Sequence, residues 1–211
     1  MVGRTPGSAA GPLAGLLLLP AEEGRRGRRP RTRGSAPPNP VCCFHMAIIL
    51  IGGGSRSGKS RRALQLARER GSRLGFIATA QVLDDEMRER IDLHRRERGS
   101  DFTTIEEPVS LAGVIERHSS DFDSIVVDCL TLWLSNIATS DIEPQTTKLI
   151  EASLASPAQV ILVTNEVGCG IVPENAVARR FRDDAGRLNQ RVAEAAAEVY
   201  WMVFGCALRV K

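Results

Sequence analysis

Eight consecutive residues, Gly53-Gly54-Ser55-Arg56-Ser57-Gly58-Lys59-Ser60, carry the most specific chemistry in this chain and match G-x-x-x-x-G-K-[ST]. Glycines let successive backbone N–H groups converge on an anion with no Cβ in the way. The loop feeds the positive end of a helix beginning at Ser60, where phosphate charge is favoured. Lys59 is the side chain that reaches β- and γ-phosphates, and the Ser60 hydroxyl is a ligand for Mg²⁺. Such a match can be a chance Gly-rich turn. Here it follows an apolar strand and precedes a helix, the context that nucleotide binding requires.

Magnesium chemistry also needs a carboxylate at the end of a neighbouring strand. Asp128 follows Ile125-Val126-Val127 and fits, although a strand-end Asp is often only a solvated residue. His94 could act as a nucleophile, since a large fraction of imidazole is neutral near pH 7. It stands among Arg90, Arg95, Arg96 and Arg98, which could neutralise phosphate charge. A lone histidine on an Arg/Glu-rich helix is more often a solvated surface residue, so the residues alone leave both readings open. His118 and His45 read as ordinary surface and leader residues.

The elements that must position these groups alternate. Apolar strands are expected at 47–51, 74–78, 124–128 and 159–164, with closing strands at 199–203 and 207–210. Helices are expected at 60–70, 84–98, 111–118, 130–137, 146–154 and 175–197. Continuous apolar strands separated by helices indicate an α/β fold with a mostly parallel sheet covered on both faces. Ligands in such sheets bind beyond the carboxyl ends of the strands. With the phosphate loop, this is a P-loop NTPase-type three-layer fold of the RecA-like kind.

The chain has 211 residues and a formal net charge of +3, but the charge is unevenly spread. Residues 1–45 hold seven arginines against two glutamates, and the remainder holds 21 basic and 23 acidic residues, a net of −2. The first 45 residues also contain seven of 11 prolines and seven of 19 glycines, with no helical or strand periodicity. They read as a disordered leader. The apolar run Leu16–Leu19 is too short for a secretory h-region. An organellar transit piece or nucleic-acid arm is a second reading of Arg25–Arg33. The favoured reading is a start assigned too far upstream, with the folded unit at 46–211 beginning at Met46. No apolar run is long enough to span a bilayer. The five cysteines form no C-x-x-C motif or zinc spacing, which suits reduced thiols in the cytoplasm. No N-K-x-D or L-S-G-G-Q motif is present, and the chain is too short for helicase machinery. A small-metabolite kinase is the class these residues favour by themselves.

Further motifs occur in order along the core: Ile77-Ala78-Thr79-Ala80, Leu83-Asp84-Asp85-Glu86-Met87, Arg90-Ile91-Asp92-Leu93-His94-Arg95 and Val127-Asp128-Cys129-Leu130-Thr131-Leu132-Trp133-Leu134-Ser135-Asn136. The longest is Val163-Thr164-Asn165-Glu166-Val167-Gly168-Cys169-Gly170-Ile171-Val172-Pro173-Glu174-Asn175, followed by Phe181-Arg182-Asp183 and Gly186-Arg187-Leu188-Asn189-Gln190. With these, residues 47–211 resemble the bifunctional adenosylcobinamide kinase/adenosylcobinamide-phosphate guanylyltransferase family of cobalamin biosynthesis. The resemblance covers none of the leader.

It implies phosphorylation of the aminopropanol hydroxyl of adenosylcobinamide with ATP or GTP. It further implies transfer of GMP from GTP onto that phosphate through a guanylylated histidine, at the position of His94. It carries nucleotide contacts onto Ala78, Thr79 and Ala80, onto Arg95, Arg96, Glu97 and Arg98, and onto Glu106 and Asp128. Glu107 stands beside Glu106 and competes with it. Glu166 has an open role in orienting substrate or metal, against a plain turn carboxylate. The resemblance implies a homo-oligomer, a trimer in this family, and no nucleic-acid partner. Gly99 departs from the family pattern, where a proline is common. Two alternatives remain: a kinase-only enzyme acting on another small hydroxyl metabolite, and a nucleotide-dependent nucleic-acid-binding protein using the leader, which the −2 core disfavours.

Overall fold

A computed structural model of the chain describes residues 48–82, 84–137 and 141–211. The expected leader, Met46 and Ala47 lie outside the described residues, as does the side chain of Arg90. The elements are β1 (Ile49–Gly53), α1 (Lys59–Arg70), β2 (Leu74–Ala78), α2 (Asp85–Arg98), β3 (Phe102–Glu106), α3 (Leu111–His118), β4 (Ser124–Asp128), α4 (Leu130–Asn136), α5 (Ile142–Ala155), β5 (Gln159–Val163), α6 (Ala176–Ala195), β6 (Glu198–Val203) and β7 (Cys206–Arg209). They form a seven-stranded sheet in the order β3-β2-β4-β5-β1-β6-β7. All pairs are parallel except β6–β7, which is an antiparallel hairpin at one edge.

The apolar runs are continuous because both faces of the sheet are covered. Ile48 and Leu50 point to one face, where they pack with Leu111, Ile115, Trp133, Leu149, Leu188 and Val192. Ile49 and Ile51 point to the other, against Ala63, Leu64 and Ala67 of α1 and Phe76 and Phe102. The three-layer expectation is met, with small shifts of element ends.

Two features depart from the sequence reading. β3 was not expected; its pattern is one buried phenylalanine followed by exposed Thr103 and Thr104. An edge strand has only one neighbour and needs no continuous apolar run. α5 begins at Ile142, four residues before the expected start. Pro144 sits in its first turn, where the missing N–H would have no helical partner anyway.

Register places the chemistry. Ala78 pairs with Glu106 on one side and Asp128 on the other, and Asp128 pairs with Val163. Gly53 pairs with Met202. The carboxyl ends of β3, β2, β4, β5, β1 and β6 therefore form one row, with the phosphate loop after β1, Ala78–Ala80 at the end of β2, Glu106 at the end of β3 and Asp128 at the end of β4, while α2, which carries His94 and Arg95–Arg98, runs from this row back to the start of β3.

Candidate active site

The phosphate loop is held by backbone constraints on both sides. Gly53 has φ +148°, and a Cβ there would lie 2.7 Å from the Met202 carbonyl oxygen, so only glycine fits. The Gly53 carbonyl accepts from the Glu166 N–H at 3.1 Å, and the Ser57 carbonyl accepts from the Gly205 N–H at 3.2 Å. Gly58, with φ +93°, turns the chain into α1. Lys59 is buried and its ammonium donates to the Gly54 carbonyl at 2.5 Å. Burial lowers the Lys59 pKa, while the nearby Asp128 and Cys129 act in the opposite direction.

Asp128 is the meeting point. Burial pushes its carboxyl up, against a hydrogen bond from the Ser60 hydroxyl and the charges of His94, Lys59 and Arg98. The hydroxyl of Ser60 and the Asp128 carboxylate together offer two oxygen donors. That fits Mg²⁺, which takes one or two protein oxygens and completes its shell with phosphates and water.

The backbone beside Asp128 is pinned by Thr79, which is fully buried. Its hydroxyl donates to the Cys129 carbonyl at 2.9 Å and accepts from the Cys129 N–H at 2.7 Å. The Thr79 side chain is therefore engaged in holding the fold at this point. Burial, with the charge of Asp128, pushes the Cys129 thiol up to about 11, so it stays protonated near neutrality.

α2 starts with Asp84 accepting from the Met87 N–H at 2.7 Å. His94 is exposed, and its Nδ1 lies 3.6 Å from the Glu97 carboxylate. Arg95 reaches out of the helix and donates to Glu106 at 2.7 Å. Arg98 is 5% exposed, with its guanidinium 4.0 Å from the centroid of the Phe76 ring. Arg96 and Arg56 are exposed. Gly99 has φ +78°, which proline cannot adopt.

Glu107, the competitor of Glu106, instead accepts from the N–H groups of Val109 and Ser110. The Glu166 carboxylate accepts from the Gly168 N–H in its own turn. His118 faces Asp121 at 3.2 Å, at the far end of α3.

Sequence reasoning missed the polar supports. Asn136 donates to the Thr79 and Pro108 carbonyls at 2.9 and 3.0 Å, tying α4 to the ends of β2 and β3. Thr164 donates to Asn189 at 2.7 Å, and the Thr131 hydroxyl accepts from the Asn165 N–H at 2.8 Å. The only available signal was polar residues at positions where apolar ones would suit the core.

The fold and the loop place this chain among P-loop nucleotide-binding enzymes. A family model described as cobinamide kinase/cobinamide phosphate guanyltransferase matches residues 49–210. The bifunctional adenosylcobalamin biosynthesis protein CobP of Pseudomonas aeruginosa is 42% identical over 166 residues, 77% of this chain and 96% of that protein. The bifunctional adenosylcobalamin biosynthesis protein CobU of Escherichia coli is 39% identical over 181 residues, 78% of this chain and 99% of that protein. Among solved structures, the flagellar accessory protein FlaH of Methanocaldococcus jannaschii aligns with a TM-score of 0.46 at 12% identity, covering 79% of each chain. The chain belongs to the cobinamide kinase/cobinamide phosphate guanyltransferase family. Among the described residues no helix is long and apolar enough to cross a membrane.

Proposed function

We propose that this enzyme phosphorylates the aminopropanol hydroxyl of adenosylcobinamide with ATP or GTP, then transfers GMP from GTP to that phosphate through His94. The observation that carries the proposal is the match of the cobinamide kinase/cobinamide phosphate guanyltransferase model to residues 49–210, on a chain whose phosphate loop leads into buried Lys59 and whose β4 ends in Asp128.

In the first step the substrate hydroxyl oxygen attacks the γ-phosphorus, the bond to the β,γ-bridging oxygen breaks, and the hydroxyl proton is released to water. The loop N–H groups and Lys59 hold the phosphates as ADP or GDP departs. Ser60 and Asp128 would hold Mg²⁺, which neutralises charge on the phosphate oxygens when bound. In the second reaction Nε2 of His94 attacks the α-phosphorus of GTP and pyrophosphate leaves. A phosphate oxygen of adenosylcobinamide phosphate then attacks that phosphorus, the P–N bond breaks, and adenosylcobinamide-GDP forms. Arg95, Arg96 and Glu106 contact the nucleotide, and the Arg95–Glu106 pair is exposed enough to yield to a ligand at a cost of about 0–1 kcal/mol. A homo-oligomer would cover apolar side chains of the 164–175 segment, among them Ile171 at 96% exposure.

The test is mass spectrometry of protein incubated with GTP and Mg²⁺. A GMP adduct mapping to His94, labile to acid and stable to alkali, is expected and is lost in His94→Ala. Phosphorylation of adenosylcobinamide by His94→Ala should persist. Wild-type protein that forms no adduct while phosphorylating the substrate would reduce the function to a kinase.

A further inference from the structure

The two reactions attack opposite ends of a nucleoside triphosphate. Phosphorylation needs the γ-phosphorus near Asp128, whereas guanylylation needs the α-phosphorus near His94. The sheet places His94, Glu106 and Asp128 on one flank of the phosphate loop, above β4, β2 and β3. With a nucleoside on that flank, the α-phosphorus meets the histidine and the γ-phosphate points away. Presenting the γ-phosphate there instead requires the nucleoside to leave over the opposite flank, above β6 and β7.

That flank carries a cleft of about 350 Å³, lined by Gly58, Arg61, Arg62, Gln65, Met202, Gly205 and Ala207. The volume is in the range of nucleotide-sized pockets. It opens directly beside the loop, because the Gly205 N–H is bonded to the Ser57 carbonyl. The Arg61 guanidinium folds back over this junction: a Cβ built at Gly205 would lie 3.4 Å from its terminal nitrogen, and one at Gly58 3.7 Å. Arg61 makes no hydrogen bond or ion pair among the described residues. Arg62 spans the Tyr200 ring, 5.6 Å from its centroid, and its Nε is buried with no partner. At the hairpin tip Phe204 is 98% exposed, an aromatic face available to a base.

We propose that this cleft between α1 and the β6–β7 hairpin seats the purine nucleoside of the phosphoryl donor. One phosphate loop then serves two nucleoside seats, and the triphosphate crosses it in opposite directions in the two reactions. Arg61 pairs with the α-phosphate of the donor, and Met202 and Phe204 contact its base. The inference rests on the two-step reading above, but its test can be read separately.

Wild-type protein is photolabelled with 8-azido-ATP and digested, and the labelled peptides are mapped. Label is expected within 58–65 or 198–209. Label confined to α2 or β3 would overturn the proposal. In parallel, Arg61→Ala is expected to raise the KM for ATP in cobinamide phosphorylation about tenfold, the effect of one charge-assisted contact. The yield of GMP adduct from GTP should stay within twofold, which also shows that the variant is folded. Equal loss in both reactions, or no change in either, would refute separate seats. Wild-type protein lacking both activities would refute the proposed function, while the photolabel would still report where ATP sits.

Discussion

Thr79→Val removes one hydroxyl and almost no volume, and it isolates how the site is held. That hydroxyl accepts from the Cys129 N–H and donates to the Cys129 carbonyl, 2.7 and 2.9 Å away. The carbonyl keeps a second partner, the Trp133 N–H at 3.1 Å. The N–H has no other partner among the described hydrogen bonds and would be orphaned in a fully buried position. An orphaned buried donor costs about 1–3 kcal/mol, and loss of the second bond about 1 more. The expected destabilisation is about 2–4 kcal/mol, with no cavity term because the methyl replaces the hydroxyl. With a urea slope of about 2 kcal/mol/M, the unfolding midpoint should fall by about 1–2 M. Thr79→Ser keeps the hydroxyl and should cost at most about 1.5 kcal/mol. Because Cys129 follows Asp128, the valine variant should also lose kcat in phosphorylation beyond what its unfolded fraction explains. A valine variant within about 0.5 kcal/mol of wild type, or a serine variant equally damaged, would refute the reasoning.

Gly53→Ala puts a Cβ against the Met202 carbonyl at a backbone angle of φ +148°. Steric and backbone strain of about 2–5 kcal/mol should lower Tm by about 5–15 °C and abolish detectable nucleotide binding by calorimetry. Asp123 lies outside the site: the N–H and guanidinium of Arg73, with the N–H of Ser72, hold its carboxyl down at about 2. A lowered carboxylate pKa stabilises the fold above the ordinary aspartate range and loses that contribution as pH falls toward 2. Wild type and Asp123→Asn should therefore differ in urea stability at pH 6 and converge near pH 2, with a modest gap because the pair is partly exposed.

The strands of the sheet interior were legible because each is apolar along its whole length, and the phosphate loop because its chemistry is local. β3 was not, since half its pattern is exposed threonine. The site divides the same way. Lys59, Ser60 and Asp128 announce themselves through residue type and neighbours, whereas His94 stands out only through the family resemblance. Thr79 and Asn136 do not, because their partners Cys129 and Pro108 lie 50 and 28 residues away and meet them only once the sheet has formed. Arg95 and Glu106 were each nominated, but their pairing depends on the β2–α2–β3 crossover.

The two halves of the site are held with unequal strength, and this follows from their composition. Lys59 is buried at the start of α1, and Asp128 and Thr79 stand at or just beyond the carboxyl ends of covered strands, where an unmade hydrogen bond costs the full desolvation penalty. Their geometry is consequently fixed. α2 is polar around its circumference, with Arg98 buried and Leu93 53% exposed. A helix without an apolar stripe gains little from packing. It is positioned by the Asp84 cap, by Arg98 over Phe76 and by Arg95 on Glu106, contacts worth about 1 kcal/mol each. Under the proposed function, phosphate charge at the loop would compete for Arg95 and Arg98. In that reading the histidine rides on the element held by the weaker contacts, while the phosphates would stay where the buried lysine and glycines hold them.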